Sequence, residues 1–208
     1  MGTSFEGRVV LITGGARGQG RSHALAFARE GADIAFCDVA QQIDLVEYPL
    51  ATEDDLAETI RQVEALDRRC IGVKADVRDR EALEELAART VSELGRIDIL
   101  CANAGISAFG TVDDSSHELW DTMIGINLTG VWNSVKAVLP QMLEQGYGRI
   151  VATSSSVARH PVPALSPCSG IPARLAGPRL GRRPRRQAVV NNGVRRATCR
   201  DRPGAAKS

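Results

Sequence analysis

"RVVLITGGARGQGRSHALAFAREGADIAFCD", residues 8–38, holds in order an apolar run, a glycine cluster, a helical run and a second apolar run ending in an acid. Residues 8–13 have strand length and no polar alternation. Residues 21–30 have helical spacing, with Ala24, Phe27 and Ala28 on one face and Gly31 as the stop. Residues 33–38 read as a second strand. Apolar runs without alternation imply strands covered on both faces, the situation of a parallel sheet.

The same alternation continues outward. Residues 52–66 read as a helix with Thr52 as cap and Asp55 as its partner, and 70–76 as a third strand. Residues 79–94 read as a helix ended by Gly95, 97–103 as a fourth strand and 149–155 as a fifth. Between the last two, 117–145 reads as one long helix, bent or broken before Pro140. This order predicts an α/β fold with a doubly wound parallel sheet.

Charge divides the chain. Residues 159–208 hold eleven Arg and one Lys against Asp201 alone, seven of the nine prolines, and no Phe, Trp or Tyr. Such a stretch has little with which to build a core. The expected organisation is therefore a nucleotide-binding domain over 1–158 and a basic Pro/Gly/Arg-rich tail over 159–208. Cys37, Cys70, Cys101, Cys168 and Cys199 form no CxxC pair, and the first three lie in apolar runs. They read as core residues, not as metal ligands or a disulfide frame, and fit a reducing cytoplasm. No apolar run approaches the ~18 residues of a membrane span, and no signal peptide is expected.

The glycine cluster 13–20 suits a pyrophosphate. Gly14, Gly18 and Gly20 give a tight turn, close backbone approach and a clear helix start, where Gln19 and its neighbours offer free N–H groups. Asp38, followed by Val39, lies twenty residues past Gly18, where a carboxylate meets the adenosine ribose and repels a 2′-phosphate. That favours NAD over NADP. Arg17 is the opposing feature, a cation able to meet a 2′-phosphate or simply a solvated loop residue.

At this point the chain resembles the short-chain dehydrogenase/reductase family, which implies a Rossmann-type sheet. Thr13, Gly14, Gly18 and Gly20 match its glycine motif. Asp76 and Val77 resemble the pair beside the adenine, and Asn103, Ala104 and Gly105 the segment ending the fourth strand. Asn127 matches the family's helix asparagine and Ser155 its catalytic serine. Residues 14–34 and an extra loop over 41–59 are similar to carveol-dehydrogenase-like, mycofactocin-associated members. The resemblance implies tightly held NAD and the oxidation of secondary alcohols, terpenoids among them, to ketones.

Family chemistry also needs a tyrosine about a dozen residues after the serine and a lysine one helical turn later. The two tyrosines here are Tyr48 and Tyr147, and neither fits. Thirteen residues past Ser155 stands Cys168, and four further Pro172. The sheet is therefore expected to be incomplete at its C-terminal edge, and activity impaired. The Arg, Pro, Ala and Gly of the tail are what GC-rich DNA yields when read out of frame, which favours a frameshifted or truncated C-terminal part. The alternatives are an inert dinucleotide-binding module, or a nucleic-acid binder acting through the basic run 181–186. The tail lacks aromatics to stack on bases. A family-type homo-oligomer is not expected of this chain.

Overall fold

The computed structural model describes residues 4–109, 111 and 113–155, and the backbone of 187–191. Strands β1 (Val9–Thr13), β2 (Asp33–Asp38), β3 (Cys70–Lys74), β4 (Ile99–Ala102), β5 (Arg149–Thr153) and β6 (Gln187–Asn191) form one sheet in the order β3-β2-β1-β4-β5-β6. Every pairing is parallel. The chain winds outward from β1 to one edge, then returns past it to build the other. The switch point therefore lies between β1 and β4, and a crevice is expected beyond their C-terminal ends.

Helices α1 (Gly18–Arg29), α2 (Glu53–Glu64), α3 (Arg80–Leu94), α4 (His117–Ile124) and α5 (Gly130–Glu144) cover the sheet. Alternate strand residues serve opposite faces. Val10, Ile12, Ile34, Phe36, Ile99 and Cys101 pack with Ala24 and Ala28 of α1 and Val63 of α2. Val9, Leu11, Ala35, Cys37, Leu100 and Ala102 pack with Leu83, Leu86 and Leu94 of α3 and Val138 and Met142 of α5. Burial of both faces explains why the strands carry no polar alternation.

The predicted punctuation is present. Thr52 and Asp55 form a reciprocal capping box on α2. Gly95 ends α3 in the left-handed region at φ 90°, and Gly31 follows α1 at φ 95°.

Two features differ from the sequence reading. The long helix is not broken at Pro140, which lies inside α5. Pro140 is exposed, as is Lys136, whose carbonyl its missing N–H releases, so that carbonyl is on the solvent side of the helix. The irregularity falls earlier, as a π turn over Gly125–Thr129 between α4 and α5. The second difference is β6. The stretch has no strand period and is flanked by arginines and a proline, yet Gln187–Asn191 pairs in register with Arg149–Thr153. β5 thus carries one neighbour on its outer side, and among the described residues the sheet ends there, at six strands. The expectations concerning Cys168, Cys199, Pro172 and the run 181–186 fall outside the described residues.

Candidate functional site

A cleft of about 270 Å³ opens beyond the C-terminal ends of the central strands. Its walls include Gly14, Arg17, Gly18, Gln19 and Gly20 from the β1–α1 turn, and Asp38 and Val39 from the end of β2. Asp76 and Val77 come from the β3–α3 turn, and Asn103, Ala104 and Gly105 from the end of β4. All twelve residues singled out for a nucleotide therefore meet in one place, from four separate turns.

The glycines are required by space. Gly14 has φ 69°, and a Cβ there would lie 2.9 Å from the Ala104 Cα. A Cβ on Gly20 would collide with the Gly14 carbonyl oxygen. Gly18 enters α1 at φ 53°, the left-handed region. The helix it opens has no side-chain cap and no acid in its first turn. By contrast, α2, α3 and α4 are capped by Thr52, Asp79 and Ser116. An uncapped helix start leaves N–H groups and the positive dipole end for an anion.

Polar braces hold the walls. The Thr13 hydroxyl accepts from the N–H groups of Asn103 at 3.1 Å and Ala104 at 3.2 Å. The Asn103 amide donates back to the carbonyls of Thr13 and Gly14, both at 3.2 Å. These bonds tie β1 to β4 at the switch point. The Thr59 hydroxyl and Arg21 guanidinium both donate to the Ala16 carbonyl, at 2.8 and 2.5 Å, so α2 anchors the glycine turn. Asp38 accepts from the Ala16 N–H at 3.0 Å, which sets its carboxylate at the mouth of that turn.

Asp76 pairs with Arg78 at 2.5 Å. Burial works against its charge, but hydrogen bonds from the Arg78 side chain and N–H hold the Asp76 carboxyl below the usual carboxylate range. The cysteines are inert by contrast. Burial pushes the Cys37, Cys70 and Cys101 thiols up to about 12.

Asn127 and Ser155 do not line the cleft. Asn127 adjoins it from the π turn, its Oδ1 accepting from the Ile106 N–H at 2.9 Å and its Nδ2 donating to the Ile106 carbonyl at 2.8 Å. It thus holds the segment that follows Gly105. Ser155 stands two residues beyond β5. Arg17, read as a possible phosphate cation or a solvated loop residue, is exposed and donates to the Pro49 carbonyl at 2.7 Å. That contact belongs to a part of the site the sequence reading missed. The β2–α2 connection contributes Ile43, Tyr48, Pro49, Leu50 and Ala51 to the cleft. Its apolar content, high for a surface loop, was the available signal.

Residues 8–170 match the family model for short chain dehydrogenases. The chain belongs to the short-chain dehydrogenase family. This short-chain dehydrogenase is 50% identical over 157 residues to (-)-trans-carveol dehydrogenase of Rhodococcus erythropolis, covering 73% of this chain and 55% of that protein. It is 45% identical over 164 residues to an NAD-dependent oxidoreductase of Mycobacterium tuberculosis, covering 78% of this chain and 60% of the relative. Among solved structures, carveol dehydrogenase from Mycobacterium avium in complex with NAD superposes with a TM-score of 0.81 at 44% identity, over 84% of this chain and 64% of that one. A short chain dehydrogenase from Mycobacterium paratuberculosis bound to NAD gives 0.80 at 41% identity, over 82% of this chain and 64% of that one. The chain thus spans well under two thirds of its curated relatives. No helix among the described residues is long and apolar enough to cross a membrane.

Proposed function

We propose that this chain binds NAD as a short-chain oxidoreductase acting on secondary alcohols and ketones, with turnover impaired by the missing tyrosine–lysine pair. The supporting observation is the uncapped start of α1 beside Asp38 in the cleft that gathers the twelve residues. The pyrophosphate would lie on the N–H groups of Gly18, Gln19 and Gly20, and Asp38 would accept the ribose hydroxyls. A 2′-phosphate would meet the Asp38 carboxylate at close range, which favours NAD over NADP. Asp76 and Val77 would flank the adenine. When bound, the nicotinamide exchanges a hydride with the substrate carbon.

The chain's own residues would do the rest in part. Asn127 fixes Ile106 beside Gly105, and so the wall next to the nicotinamide end. Ser155 would orient the substrate oxygen. No tyrosine follows it to take the hydroxyl proton, and general acid–base help contributes about 10²–10⁴-fold. The relatives support a terpenoid alcohol such as carveol as the first substrate to try.

The test has two arms. Calorimetric titration of the 208-residue chain should give at least about tenfold tighter binding of NAD than NADP, and equal affinities would remove the role given to Asp38. Carveol with NAD should show no measurable turnover. Rates of about 1 s⁻¹ or more, ordinary for working enzymes, would overturn the reading of impairment.

A further inference from the structure

A second cavity, of about 280 Å³, lies beside the cofactor cleft. Leu45 and Tyr48 of the β2–α2 connection face Phe109 and Leu119 across it, with Ser107 between. The two spaces share a wall. Tyr48 lines both, while Ile106 faces the first and Ser107 the second. The floor is firm, because Ile106, Ala108 and Leu119 pack on the fully buried Met123. The mouth is apolar and open, for Phe109 is 71% exposed, the highest among the large hydrophobic side chains described.

The Tyr48 phenol inside is left with bonding capacity. The Tyr48 hydroxyl accepts from the Ser107 N–H at 3.0 Å. That bond fixes the phenol oxygen and uses a lone pair, not the proton. Among the described residues nothing accepts the Tyr48 O–H. Glu47 stands at the rim, and no cation pairs with it among the described residues. An apolar pocket with one oriented donor and an unpaired carboxylate selects by charge as well as shape.

We infer that this cavity is the substrate-side pocket, in which Tyr48 donates a hydrogen bond to the oxygen of a neutral one-ring alcohol or ketone, and Glu47 turns away carboxylates. The inference rests on the oxidoreductase reading and adds a residue to it that lies far from the family motifs in sequence. Tyr48 is here a specificity residue and not the missing proton acceptor, since the described residues place no lysine beside it.

The experiment uses the 208-residue chain, with and without NAD. Carveol is the neutral probe and perillate, a terpenoid carboxylate, the anionic one. Calorimetry or ligand-observed NMR should show carveol bound. Tyr48→Phe should weaken it about five- to tenfold, the loss of one hydrogen bond, and Phe109→Ala should weaken it as well. Glu47→Gln should strengthen perillate about fivefold and leave carveol unchanged. NAD titration of each variant reports an intact fold. Carveol that fails to bind an NAD-competent chain, or that ignores both Tyr48→Phe and Phe109→Ala, overturns the inference. Carveol binding that depends on Tyr48 in a chain that rejects NAD upholds the pocket and removes the cofactor reading instead.

Discussion

Asp38 and Asp98 sit at opposite ends of the same sheet and are treated in opposite ways. Asp98, just before β4, is fully buried. It accepts from Arg8 at 2.7 Å, from the Val9 N–H at 3.0 Å and from two Arg96 nitrogens, both at 2.7 Å. Tyr147 lies against the Arg8 and Arg149 guanidiniums, at 4.6 and 4.8 Å from the ring centre. The charges around Asp98 are spent on one another. Asp38, at the other end, is half-buried and among the described residues keeps only backbone donors, from Ala16 at 3.0 Å and Ala40 at 3.5 Å. The end that satisfies its polar groups holds the fold, and the end that leaves them open is free to hold a ligand.

The sharpest way to break this comparison is Asp98→Ala. It should cost about 1–3 kcal/mol, read from urea unfolding, chiefly because the buried Val9 N–H loses its acceptor while the part-exposed Arg8 and Arg96 can turn to water. Chain that remains folded should bind NAD as before. Next comes Asp38→Ala, which should barely change the urea midpoint. It should erase the preference for NAD over NADP, a change of at least about tenfold or 1.4 kcal/mol. If Asp38→Ala destabilised the chain as much as Asp98→Ala, the two ends would not be the different kinds of site described above.

Helix starts extend the contrast at smaller scale. Thr52→Ala removes the cap of α2 and should cost about 1 kcal/mol. Gly18→Ala meets open space but forces a side chain into the left-handed region, costing roughly 1–2 kcal/mol. Of this similar pair in thermal melts, Gly18→Ala alone should weaken NAD.

The smallest effect concerns acid. Asp76 is held below the ordinary carboxylate range in the folded chain. Its contribution is therefore full above that range and is withdrawn as pH falls through it to the lowered folded value. Arg78→Gln should raise the midpoint of acid unfolding slightly, and an unchanged midpoint would show that the Asp76–Arg78 pair adds nothing.

Much of this was legible in the sequence because it is local. Residues 9–13, 33–38 and 99–102 announce buried strands by composition alone, and Thr52, Gly95 and Gly31 mark ends whose chemistry lies within a few residues. Twelve of the cleft residues were legible because each ends a strand or lies in the turn or helix start that follows one, and a parallel sheet gathers such turns at one end. Tyr48 was not, because its meaning depends on Ser107, 59 residues away. The contact of Arg17 with Pro49 was hidden for the same reason, since the two are 32 residues apart. The role of Asp98 was not legible either, because its partner Arg8 lies 90 residues earlier. β6 was missed because five residues with two valines carry too little signal against their arginine-rich flanks.

The π turn at Gly125–Thr129 has a consequence for lineage. A π turn is an α-helix that has absorbed one extra residue without disturbing the turns on either side. Deleting Leu128 would therefore let α4 and α5 join as an ordinary helix, with Met123 and Val138 still facing the core. What would be lost is the bulge that carries Asn127 to Ile106. The helix as scaffold and the asparagine as instrument are thus separable by a single codon, so a descendant could shed the second and keep the first.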